Sequence, residues 1–111
     1  MSATPRRGRD RERSSPQSYF VYVIELGDEH GQRFTPRRFY VGQSVREPQV
    51  RFQQHQEGYR ASRHVRGRAL WLRWRMFQDL NPLPSRDAAL RAEARLAGKL
   101  RDRGYEVFGG H

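Results

Sequence analysis

Tyr19-Phe20-Val21-Tyr22-Val23-Ile24 and, further on, Phe39-Tyr40-Val41-Gly42 are the two stretches whose reading decides the fold. The first, continued to Leu26, is dense in β-branched and aromatic residues and reads as a buried strand. Gly27-Asp28-Glu29-His30-Gly31 is turn chemistry. Phe34 to Arg38 is expected to lengthen the connection. A second strand, Arg38 to Val41, then ends at Gly42, a residue that lets backbone or ligand come close at a strand end. The two strands predict an antiparallel hairpin with an elongated loop and a tyrosine on each arm.

Working outward, Glu47-Pro48 can open a helix with proline in its first turn, running to Glu57 and stopped by Gly58. Ala61 to Arg66 reads as a short helical turn. Leu70, Leu72, Trp74 and Met76 alternate with Trp71, Arg73, Arg75 and Phe77. That period of two predicts a third strand, one face on the core and an arginine-bearing face outward, with a helix as the alternative. Asn81-Pro82-Leu83-Pro84 breaks the chain. Ser85 then caps a helix to Arg103, closed by Gly104, and Tyr105 to Phe108 is a candidate short last strand. The expected architecture is α+β: a small three-stranded, mostly antiparallel sheet flanked by helices.

The 111 residues fit one domain. Residues 1–17 stand apart: five arginines, three serines and two prolines, with no large apolar residue after Met1. Such a segment cannot bury enough surface to offset its ordering entropy, so a disordered basic arm is expected, with a single domain over 18–111. The chain carries 22 basic against 12 acidic residues, a net of +10. The arm supplies five arginines against Asp10 and Glu12, so the domain keeps most of the excess. Lys99 is the only lysine. Arginine grips phosphate in a bidentate way and stacks on bases, so a nucleic-acid partner is expected. Without cysteine, disulfides and thiolate metal sites are excluded. No stretch approaches the ~20 apolar residues of a membrane span. The arginine-rich start has no apolar segment behind it, and a cytoplasmic protein is expected.

Glu93 is the residue that does not fit an ordinary core. At about 100° per residue, Ala89, Leu90, Leu96, Ala97 and Leu100 all fall within about 60° of it, so it lies inside the apolar stripe of the last helix. A carboxylate there needs an ion pair, hydrogen bonds or a metal, because an isolated buried charge costs several kcal/mol. An ion pair with an arginine is the plainer solution for Glu93 taken alone. Arg51 and His55, four apart, share a helix face and could reach one phosphate. Taken alone they would read as part of a solvated face with Gln53, Gln54 and Glu57, and Tyr22 and Tyr40 as ordinary core tyrosines. As a set, they are the groups that activate water, steady a phosphate and hold a divalent metal.

Phe20-Val21-Tyr22, Tyr40-Val41-Gly42, Arg51, His55 and Glu93, in that order, resemble the signature of the GIY-YIG nuclease superfamily. The likeness spans residues 19 to 103, with a longer linker between the two triplets than the minimal family pattern. What the resemblance implies is a metal-dependent endonuclease hydrolysing phosphodiester bonds, DNA before RNA, possible on single-stranded or structured substrates. Tyr22, Tyr40, Arg51, His55 and Glu93 would be catalytic, with Glu93 the ligand of Mg²⁺ or Mn²⁺. Tyr40 would be the general base, and Arg51 would neutralise the phosphorane. Gly42, Arg60, Arg63, Arg66 and Arg68 are the expected nucleic-acid contacts, with the arm of Arg6 to Arg13 as a second track. The alternative is a catalytically inactive nucleic-acid-binding domain of the same fold. A monomer or a homodimer is compatible with either.

Overall fold

The computed structural model describes residues 17–58 and 65–110. Within them lie strand β1 (Phe20–Gly27), strand β2 (Arg33–Ser44), helix α1 (Pro48–Glu57), strand β3 (Ala69–Leu72), two 3₁₀ turns (Trp74–Met76 and Gln78–Leu80), helix α2 (Arg86–Asp102) and strand β4 (Glu106–Gly109). The strands form a mixed sheet in the order β3-β1-β2-β4. The first three are antiparallel neighbours, and β4 runs parallel to β2. The sheet therefore has four strands and not the expected three. Tyr105 to Phe108 could not be promoted from the sequence, because a short segment becomes a strand only when a neighbour supplies its ladder. Here the crossover through α2 returns the chain beside β2, as a parallel pairing requires.

The hairpin forms through local chemistry. Asp28 Oδ1 accepts from the backbone N–H of His30 (2.8 Å) and of Gln32 (2.9 Å), and Gly31 takes a left-handed φ of 76°. The turn is tighter than expected, and β2 begins at Arg33. The extra length appears as an irregularity: Leu26 pairs with Arg38 while Gly27 pairs with Arg33, so residues 34–37 bulge from the ladder.

Register sorts the side chains of β1 and β2. Residues directly opposite in an antiparallel pair share a face, so Tyr22, Gly42, Ile24 and Tyr40 lie on one side and Val23, Val41, Glu25 and Phe39 on the other. β1 is buried along nearly its whole length, as a central strand with both faces covered must be. Asn81, legible in the sequence only as a chain breaker, mimics a strand: its side chain accepts from Val21 N–H and donates to Val21 C=O, both at 2.8 Å.

The helices start and stop as their sequences require. Pro48 opens α1, and Gly58 closes it at φ 83°. Ser85 Oγ accepts from the Ala88 N–H at 3.0 Å to cap α2, whose first turn carries Asp87 and whose last carries Lys99 and Arg101. The buried side of α2 is Ala89, Ala92, Glu93, Leu96, Ala97 and Leu100. Leu90, expected in that stripe, is exposed, so the helix is rolled toward Ala92.

The third strand also departs from expectation. It ends at Leu72, and the 3₁₀ turns that follow reset the alternation. Phe77, expected outward, is 1% exposed in the core. Arg73, also expected outward, turns back and bonds Glu25. Arg60 and Arg63 lie outside the described residues, as do residues 1–16 of the arm and most of the expected 61–66 turn. Among the described residues no helix is long and apolar enough to cross a membrane.

Candidate active site

Tyr22 and Tyr40 meet because β1 and β2 are neighbours in this register. Their ring centres are 6.3 Å apart. Gly42 sits directly opposite Tyr22, and its missing side chain makes the room: a Cβ there would stand 2.6 Å from the Tyr22 hydroxyl and 3.0 Å from the Tyr40 ring. The glycine read as a place for nucleic acid to approach thus has a packing duty, since it is buried under the two tyrosines.

His55 enters from α1 as the third ring, 5.8 Å from Tyr22 and 5.5 Å from Tyr40. It is fully buried, not on a solvated face. Its Nε2 lies 3.0 Å from the Tyr22 hydroxyl, while Nδ1 has no hydrogen-bond partner among the described residues. Burial, reinforced by the Arg51 charge, pulls the His55 pKa down to about 4, so the ring is neutral at physiological pH.

Arg51, one turn earlier on α1, acts on Tyr22 through its charge and donates through Nη1 to Gln54 Oε1 at 2.8 Å. Glu93 reaches the cluster from α2; it is 6% exposed, and its Oε2 accepts from the Gly110 N–H at 3.2 Å. Both Gly109 and Gly110 have positive φ and close neighbours, Val41 C=O for the first and Ala97 Cβ for the second, so side chains are excluded from the segment that meets Glu93.

The electrostatics tie the five residues together. Burial pushes the Tyr22 hydroxyl well above its ordinary pKa; Tyr40 and Glu93 add to the rise and Arg51 opposes it. Tyr40 is raised too, by burial first and then by Glu93, again against Arg51. Neither tyrosine is made acidic by the protein's own charges. Tyr22 is 1% exposed whereas Tyr40 is only half-buried, so Tyr40 is the one that water or a phosphate can reach.

Among the described residues no group of three or more histidine, aspartate or glutamate side chains could together hold a metal. Of the five clustered residues Glu93 is the one carboxylate, so it is the one that could ligate a hard cation. That suits Mg²⁺, which keeps several waters and binds through one or two carboxylates plus substrate phosphates. Arg66 and Arg68, in the turn before β3, are exposed.

Sequence reasoning missed a second polar cluster. Glu25 is 0% exposed and is gripped by Arg33 and Arg73. The signal was present: a carboxylate inside a fully apolar strand, with both faces covered, must have partners. No family model matches this chain, and no curated protein or solved structure matches it either.

Proposed function

We propose that this chain is a metal-dependent endonuclease of the GIY-YIG kind, acting on phosphodiester bonds of nucleic acid. The observation that supports it best is the convergence of Glu93 from α2 on Tyr22, Tyr40, Arg51 and His55, contributed by three other elements. Glu93 would hold Mg²⁺ or Mn²⁺. When bound, the metal lowers the pKa of nearby hydroxyl groups and neutralises phosphate charge.

Each side chain then has a definable task. Tyr40, the tyrosine with access to water, would take the proton of the attacking water as its phenolate, its own proton having first passed to solvent with the metal bound. Tyr22 is a positioning residue: held by the neutral His55 ring and by Arg51, its hydroxyl has a set direction beside Tyr40. Arg51 faces the charge that grows on the phosphorane and is preorganised by its bond to Gln54. The test is a panel of duplex, single-stranded and branched DNA and of RNA, run with Mg²⁺, Mn²⁺ or chelator. Glu93→Gln and Arg51→Ala should each lower metal-dependent cleavage by at least about 10²-fold while nucleic acid still binds. Full activity in either variant would sink the assignment.

The upward shift of both tyrosines favours a second reading, a domain that binds nucleic acid and does not cut it. Binding without nicking of any substrate in the panel would establish it.

A further inference from the structure

At the β3 edge of the sheet, on the face opposite Tyr22 and Tyr40 by register, lies the Glu25 cluster. Glu25 stands across from Phe39 on one side and Trp71 on the other. Arg33 donates through Nε to Glu25 Oε2 (2.8 Å) and through Nη2 to Oε1 (3.1 Å). Arg73 donates through Nη1 to Oε1 at 2.6 Å. Burial pushes the Glu25 carboxyl upward, but the two guanidinia outweigh it and hold the group below its ordinary pKa.

One carboxylate thus orients two cations, leaving a net positive charge with little freedom to move. Glu25 occupies two of the five donors of Arg33 and one of those of Arg73. The Arg33 guanidinium also lies over the Trp71 ring, 4.9 Å from its centre, and Trp71 is 48% exposed. Arg33, Trp71, Leu72 and Arg73 line an open depression of about 390 Å³.

A small anion has no use for the half-exposed indole, and an apolar ligand has none for two fixed guanidinia. A nucleotide strand uses both, a base stacking on the aromatic ring while phosphates take the arginine forks. We propose that this edge binds single-stranded nucleic acid, an unpaired base stacking on Trp71 with Arg33 and Arg73 holding its phosphates. This deepens the nuclease reading, on which it rests for the strand's being the substrate: the enzyme would act where a strand is unpaired. Glu25 is then a positioning residue that keeps the two forks in place.

The test uses tryptophan emission. The chain has two tryptophans, so Trp74→Phe leaves Trp71 as the only reporter. With chelator present to prevent cleavage, a short oligothymidylate should quench Trp71 emission by roughly half or more at saturation, and salt should reverse the effect. A blunt duplex should leave the emission unchanged, because its bases are already stacked. Trp71→Ala should weaken strand binding about tenfold, and Trp71→Phe should keep most of it; circular dichroism checks that both are folded. Strand binding with unchanged Trp71 emission, no strand binding, equal quenching by duplex, or unaltered affinity in Trp71→Ala would each overturn the proposal. The native chain with Mg²⁺ separates the two ideas. Cleavage without quenching removes only the strand site, and quenching without cleavage removes only the nuclease.

Discussion

At the scale of single residues, the candidate site is held by a glycine and a neutral histidine. Gly42→Ala would drive a Cβ into the Tyr22 hydroxyl and the Tyr40 ring. It is expected to cost about 1–3 kcal/mol of stability and to lower any cleavage activity at least about tenfold; urea unfolding and a nicking assay would measure both. A variant as stable and active as the native chain would mean that the tyrosines tolerate displacement. His55 makes stability depend on pH with a definite sign. Its pKa is about 4 in the folded chain and near 6.5 when unfolded. Between those values the unfolded state binds more protons, so the contribution is complete above pH 6.5 and is lost as pH falls toward 4. The loss amounts to at most about 3 kcal/mol. Urea midpoints should fall across that window, and His55→Gln should flatten the dependence. Glu25, whose folded pKa is lowered, adds an acid-labile contribution only at lower pH, below its unfolded value near 4.5.

At the scale of elements, helix α2 carries Glu93 to the sheet and depends on its cap for a defined start. Ser85→Ala removes the acceptor for the Ala88 N–H and is expected to cost about 1 kcal/mol, or roughly 4–8 °C in thermal midpoint for a domain of this size. An unchanged midpoint would mean that packing alone fixes where α2 begins. Helix ends were legible from the chain because proline, serine and glycine act on the backbone within one turn of themselves. Pro48, Gly58 and Ser85 stand where the sequence put them. The third strand was less legible. Its alternation continues through Phe77, yet the ladder stops at Leu72, since pairing with β1 ends there and two 3₁₀ turns bring Phe77 and Arg73 inward.

At the scale of the whole molecule, the charge of +10 is the dominant long-range feature. If the partner is nucleic acid, binding should weaken steeply with salt. Removing residues 1–17, whose five arginines less Asp10 and Glu12 leave a charge of +3, should reduce the slope of log affinity against log salt by up to about 3, while the domain still folds. An unchanged slope would leave the arm without a role in binding. The presence of Glu93 in a buried stripe, the order of the tyrosines, Arg51 and His55, and the hairpin itself were all readable along the chain. They rest on short-range periodicity and turn chemistry, which the sequence encodes locally. That these residues converge, that Gly42 makes room for the tyrosines, that β4 completes the sheet and that Glu25 binds Arg33 and Arg73 were decided only by tertiary structure. Contacts between residues far apart in the chain depend on strand register and helix roll, and neither leaves a local mark in the sequence.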